Sequence, residues 1–443
     1  GSDSKGYNFK SDSFIGIKGV GLNDTKDSIV IGVLFKDKTL RYVNTLSTTG
    51  ATRAYTVATP INAGDVVTVK EGVSISNDLD GNLVGTGSGT FNVNGYDSDA
   101  THSVIDLSDS NGNYLNGFRV INPNSVITLN NLTITKGQEA LYIKPNGAVT
   151  TQEVASINNV IFKENDSAIV LEGGKISTIT GVFEGNYTSS NYASSIYVSG
   201  AVISSIEADF NNNSANDSAV IAVNSSNGSM INSINGNFTN NIGTIISNLG
   251  TIGTINGEFT NNTNNNASSL IHNGTTGNIT TINGTYSSNG LDYIIYNEGG
   301  TIKTIDAEFK DNELGTIFNS GSISKINGKF TNGTVSVTGS DVGGGAIYNT
   351  GKISNITGEF TGNNGTNGGA ILNKGTIETI DGTFKNNVSE NGGAIASVNN
   401  GTGYIGTITG TFTGNSATNS GGAIAGGIGD GTIKNISGTF ESN

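Results

Sequence analysis

The chain has no cysteine and no tryptophan, one methionine, three prolines and two histidines in 443 residues. Without cysteine there is no disulfide framework, no thiolate metal site and no thiol nucleophile; export, where a stray thiol is a hazard, fits this absence. Arginine is nearly as scarce, occurring only at Arg41, Arg53 and Arg119, and the net charge is −14. A nucleic-acid partner needs a basic footprint and finds none here. An anionic membrane surface is an equally poor partner. No apolar run reaches spanning length, so no direct membrane insertion of these residues is expected. Ala, Leu, Glu and Lys never gather at helical spacing. Charged residues are only 13%, and Ile, Val and Phe recur at fixed places, which is not the composition of a disordered chain.

What is present is a repeat, Ile-x-x-Ile-x-Gly-x-Phe-x-x-Asn. It reads Ile252, Ile255, Gly257, Phe259, Asn262, and again Ile377, Ile380, Gly382, Phe384, Asn387. The aromatic recurs from Phe183 to Phe440 at intervals of 21 to 30 residues. A period of this size means stacked units, none able to bury its apolar face alone. Ile255, Gly257 and Phe259 alternate with Asn256 and Glu258, so one face of a strand is apolar and the other solvated. Ile252 has the wrong parity for that strand, and a corner is expected between it and Ile255. A second motif, small-small-Ala-Ile-x-Asn, precedes each such strand: Gly344 to Asn349, Gly368 to Asn373, and Gly392 to Ile395. The expected fold is therefore all-β, a single-stranded right-handed parallel β-helix of three short strands per coil. Residues 1–65 are expected to form an N-terminal β cap or a small β element, 66–150 the first irregular coils and 151–443 the regular ones.

The Asn that follows the aromatic by three residues is expected to be structural. It occurs at Asn241, Asn262, Asn289, Asn312, Asn363, Asn387 and Asn415, with Gly333 the one replacement. Tolerance of left-handed backbone and bonding to the next coil's corner both suit Asn there. The Asn of Ala-Ile-x-Asn shares the inward parity of Ile and predicts a second, buried ladder.

The pairing of Phe-x-x-Asn with Gly-Gly-Ala-Ile, as in Phe360 to Ile371, Phe384 to Ile395 and Phe412 to Ile424, resembles the repeats of the chlamydial polymorphic membrane proteins. More broadly it resembles the passenger domains of autotransporters. Gly117 to Gly137 is similar to the opening coils of bacterial adhesin-like β-helices. The resemblance implies export to the bacterial surface or secretion, a missing leader, a missing C-terminal outer-membrane barrel, and adhesion as the role. Gly1-Ser2 reads as a cloning scar, and a fragment cut at its C-terminus is expected. The cysteines common in the chlamydial proteins are absent, which favours a related surface protein.

Function is expected in the positions that vary. The x of Ala-Ile-x-Asn points outward and stacks His272, Tyr296, Phe318, Tyr348 and Leu372 on one face, a candidate contact surface; loops folding over it would be the structural alternative. The corner after Phe-x-x-Asn varies most in length and reaches its longest at 334–343, which makes Thr334 and Asp341 loop candidates. The expected partner is a host-cell or neighbouring-cell surface protein or a glycan, bound by a monomer without cofactor, metal or catalytic residues. Two other readings stand beside adhesion: a structural display stalk and a polysaccharide-active enzyme. For the enzyme, outward acids exist at Glu258, Asp306, Glu308, Glu359 and Asp381, but these columns mix freely with Asn, Thr and Lys, as solvated faces do. A groove with convergent carboxylates and a basic residue would favour it. Asp97, Asp99, Asp106 and Asp109 read as a loop cluster of acids, with calcium binding as the alternative. An ice-binding face would need a regular Thr array that these columns lack.

Overall fold

The computed structural model describes residues 98–443 apart from 109–111, 122, 148–149, 189–190, 264–268, 314, 336–342, 399–402 and 429–430. Before residue 98 it describes the strands Phe14–Leu22, Ile29–Phe35, Leu40–Asn44, Arg53–Thr56, Val66–Val69, Val73–Ser76 and Gly89–Gly95. The described residues are nearly all β; one short 3-10 turn, Ala100–His102, interrupts them. They form a parallel β-solenoid. Contacts divide the chain into two units, Gly1–Tyr187 and Thr188–Asn443.

In the first unit, Phe14–Leu22, Ile29–Phe35 and Leu40–Asn44 make an antiparallel meander. Much of the segment expected to act as a cap lies outside the described residues. Parallel pairing starts at Arg53–Thr56, which pairs with Val73–Ser76. It continues through Ser125–Thr135, Glu153–Lys163 and Gly174–Glu184. A second parallel sheet stacks Phe118–Val120, Leu141–Ile143 and Ile169–Leu171.

In the second unit each coil carries one long and one short strand. Met230–Thr239, Thr251–Thr260, Asn278–Ser287, Thr301–Lys310 and Ser322–Thr331 are successive long strands, paired in parallel with like residues opposite like. The corner expected between the two Ile is a bend inside one strand. Ile252 and Ile255 are both buried while Gly253 and Thr254 between them are half-buried, and the pairing skips Gly253. The parity argument thus located the turn, but the hydrogen-bonded ladder runs through it. The third strand shrinks in several coils to a single bridging residue, such as Thr263 or Gly290, and is longer at Val388–Asn391 and Ser416–Ser420.

Beside the buried Ile columns, one aromatic and two asparagine columns run through the interior of this unit. Phe210, Phe238, Phe259, Tyr286, Phe309, Phe330, Phe360, Phe384 and Phe412 stack with ring centroids 4.4 to 5.1 Å apart and planes within 19°. All but the last coil's Phe440 are buried. Each buried ring contributes roughly 2–3 kcal/mol by removal from water, and stacking adds about 1 kcal/mol. Beside them run two asparagine ladders.

In the first ladder the amides are saturated except at the rung beside Gly333. Asn262 Oδ1 accepts from the backbone and side-chain nitrogens of Asn241, both at 3.0 Å, while its Nδ2 donates to Asn289 Oδ1 and the Phe238 carbonyl, both at 2.9 Å. The left-handed residue of this corner is not the ladder Asn but the one before it: Asn212, Asn240, Asn261, Ser288, Asp311, Asn332 and Asn386 all have φ between 50 and 56°. Conformational tolerance therefore explains the preceding residue, and the ladder Asn is selected for its amide alone. Gly333 is a break rather than a conformational equivalent. It lacks positive φ, and a Cβ there would stand 2.4 Å from the Gly345 carbonyl oxygen. Its backbone nitrogen still donates to Asn363 Oδ1 at 3.0 Å. The second ladder runs Asn248, Asn273, Asn297, Asn319, Asn349, Asn373 with Nδ2 to Oδ1 distances of 2.7 to 2.9 Å.

Candidate functional site: an outward aromatic column

The short strands bury Ile on the inner side and turn the next residue outward. In-register pairing places His272 beside Tyr296, Tyr296 beside Phe318, Phe318 beside Tyr348 and Tyr348 beside Leu372. The first four are half-buried. Leu372 is not part of an exposed stripe: it is 1% accessible. The Gly344-Gly345 corner packs against the backbone of its strand. A Cβ on Gly344 would stand 2.5 Å from the Leu372 nitrogen, so the corner packs flush there and no side chain holds it off. Leu372 is buried, and the four rings upstream are half-covered.

Those rings form a continuous stack. His272 and Tyr296 are 5.2 Å apart and 20° from parallel, Tyr296 and Phe318 are 5.0 Å apart at 45°, and Phe318 meets Tyr348 edge-on at 5.0 Å. Tyr293 thickens the column, 5.2 Å from Phe318. Its hydroxyl is pushed up to about 12, first by burial and then by the nearby Tyr348 and Asp292. Tyr296 is raised too, by burial and then by the Glu298 carboxylate. Both phenols therefore stay neutral donors at physiological pH. The column has charged ends. Glu298 Oε2 lies 2.9 Å from His272 Nε2, and the Lys374 ammonium sits 5.6 Å from the Tyr348 ring centre. Such a surface offers aromatic rings and hydroxyl groups.

Of the loop candidates, Thr334 is exposed, its carbonyl accepting from the Gly315 nitrogen at 2.7 Å and its backbone bridging Asn364. Asp341 lies outside the described residues. The ladder residues Asn241, Asn262, Asn289, Asn312, Asn363, Asn387 and Asn415 are all buried in the interior.

A shallow open groove lies on the long-strand face. Gly284, Gly328 and Gly358 form part of its floor, and Asp306, Glu308, Lys329 and Glu359 line it. Glu308, Lys329 and Glu359 stack in one column on consecutive coils. Lys329 Nζ is 3.2 Å from Glu308 Oε1, and Asn327 Nδ2 donates to Asp306 Oδ1 at 2.9 Å. Among the described residues no group of three or more His, Asp or Glu could hold a metal ion. Of the acidic loop, Asp99 accepts from the Thr101 nitrogen and Asp106 binds Ser108 and Lys136; Asp97 and Asp109 lie outside the described residues.

Outward residues of the earlier short strands escaped the sequence reading. In the first unit Arg119 lies in a paired short strand, with its guanidinium 4.3 Å over the Tyr142 ring and 3.1 Å from Glu139. Tyr142 donates to Glu172 at 2.9 Å. In the second unit Tyr197 packs edge-on against Tyr192 at 5.0 Å. The signal was the triplets Phe118-Arg-Val120, Leu141-Tyr-Ile143 and Ile196-Tyr-Val198, in which an apolar residue stands where later coils have Asn.

Comparison with protein-family models, with curated proteins and with solved structures gave no match. The fold defines the class, a parallel β-solenoid.

Proposed function

We propose that the chain is a non-catalytic interaction module of an exported bacterial surface protein, of the passenger type, and that it adheres through the outward aromatic column. One observation carries this reading: four half-buried rings, His272, Tyr296, Phe318 and Tyr348, stacked across consecutive coils on an outward face. Aromatic residues of this kind are favoured binding anchors. The low charge, the missing cysteine and the Phe-x-x-Asn/Gly-Gly-Ala-Ile repeats support export. The partner is a surface component of a host or neighbouring cell. The test is to display the chain on a non-adherent bacterium and count attachment to a panel of cultured cells. Attachment above the empty display scaffold is expected; none on any cell type, with display verified, contradicts the reading.

A second reading rests on the groove. Glu308 and Glu359 are two coils apart, roughly 10 Å by strand spacing, with Lys329 between them. That is near the upper limit for two carboxylates sharing a glycosidic bond. The Glu308–Lys329 pair is half-exposed, as solvated faces are, so the polysaccharide-active alternative ranks below adhesion. Release of reducing ends from a polysaccharide panel, abolished by Glu308→Gln, would establish it.

A further inference from the structure

We propose that the aromatic column seats an amphipathic α-helix of a partner protein, lying along the stack with its N-terminus at the Glu298 end and its C-terminus at the Lys374 end. The inference rests on the column being the contact surface and names what it contacts.

Spacing is the first argument. The ribs from His272 to Tyr348 repeat every 5.0 to 5.2 Å. A helix places successive ridges one turn, about 5.4 Å, apart, and over three intervals it drifts from the ribs by only about 1 Å. A strand lying the same way offers one side chain per face every ~6.7 Å and drifts by about 5 Å, a full rib. Side chains at i, i+3 or i+4 and i+7 therefore enter successive furrows, as ridges enter grooves between helices.

Ring orientation is the second. His272 and Tyr296 are stacked nearly parallel, and the Lys374 ammonium sits over the Tyr348 ring. One face each of His272, Tyr296 and Tyr348 is thus occupied by a neighbour. A sugar ring that stacks flat needs a free face; a ridge of aliphatic side chains needs furrows between edges.

Charge sets the direction. Glu298 is an exposed carboxylate at one end, paired with His272. Lys374 marks the other end. A helix carries about half a positive charge at its N-terminus and half a negative one at its C-terminus, so this polarity favours one orientation of the two. The chain's net charge of −14 favours basic residues flanking the apolar stripe of the partner.

Two displayed peptide libraries of about twelve residues test this on the purified full chain. One has apolar residues at helical spacing and the other at alternating spacing, with all other positions free. Selection is expected to enrich the helical library. Its winners should carry Lys or Arg in the first turn, gain helicity on binding, and lose at least tenfold in affinity to Tyr296→Ser/Phe318→Ser. Enrichment of the alternating library, or of neither, overturns the helix. So does binding that ignores the double substitution. If cell attachment depends on the double substitution but helical peptides do not bind, the contact surface stands and the helix falls; glycan binding lost with the same substitution has that meaning too. If attachment ignores the substitution, the contact surface itself is wrong.

Discussion

Asn262 and Asn289 are joined by two bonds to one oxygen: Asn289 Oδ1 accepts from the Asn262 backbone nitrogen at 3.0 Å and from its Nδ2 at 2.9 Å. This unit repeats along the corner, and each amide serves both as acceptor for one neighbour and as donor to the next. It converts a row of buried backbone nitrogens into satisfied groups.

Removing one rung should therefore cost more than one hydrogen bond. Asn262→Ala leaves two Asn241 donors, one Asn289 acceptor and the Phe238 carbonyl short of a partner, and should destabilise by about 3 kcal/mol. Asn312 faces Gly333, so its Nδ2 makes only the bond to the Tyr286 carbonyl. Asn312→Ala should cost about 1 kcal/mol less. Urea unfolding of the two variants measures the difference; equal losses would contradict the ladder account.

The residue before each rung is left-handed, and nature already places Gly362 and Gly414 there, with φ of 66° and 64°. Ser288, at φ 55°, gains nothing that offsets the strain. Ser288→Gly should stabilise by roughly 0.5–1 kcal/mol, and Asn261→Ala should destabilise by about 1 kcal/mol. Thermal unfolding of the pair checks both signs.

Tyr286 takes a phenylalanine place in the buried stack, and burial alone raises its hydroxyl far above the ordinary phenol range. The folded state therefore holds this proton longer than the unfolded chain. Stability is complete below the unfolded value near 10 and falls as pH rises above it, by roughly 1.4 kcal/mol per unit from this group. Tyr286→Phe loses the bond to the Asn283 carbonyl, about 1 kcal/mol at neutral pH, but should be the more stable protein above pH 11. Denaturant midpoints at pH 8 and pH 11.5 test the crossover.

The groove makes its own prediction. If Glu308 and Lys329 are a solvated surface pair, Glu308→Gln changes stability by less than about 1 kcal/mol and leaves attachment unchanged. A tenfold loss of any polysaccharide cleavage with that substitution would instead promote the second reading.

Much of the fold was legible because period and parity are strict. Ile255 and Phe259 had to share a face, and the recurrence of Asn after Phe had to place asparagines over one another. The misreadings came where backbone geometry, not residue type, decided. No pattern tells that the bend at Gly253 keeps its hydrogen bonds, or that Asn261 rather than Asn262 is left-handed. The candidate surface was legible for His272, Tyr296, Phe318 and Tyr348, because parity alone turns them outward. Leu372 has the same parity and is buried, a difference that parity alone does not carry. Arg119, Tyr142 and Tyr197 were missed because Val or Ile replaces the Asn that marks the strand.

The central claim is that the invariant positions build the coils while the outward column makes the contact. Attachment of displayed Tyr296→Ser/Phe318→Ser, beside a control changed on the long-strand face at Thr285→Ala/Thr411→Ala, tests it most directly. The account predicts that the first variant loses at least tenfold in attached cells, that the control keeps the parent's level, and that both retain the parent's β-sheet circular dichroism. Equal attachment by all three proteins, or loss only in the control, would contradict it.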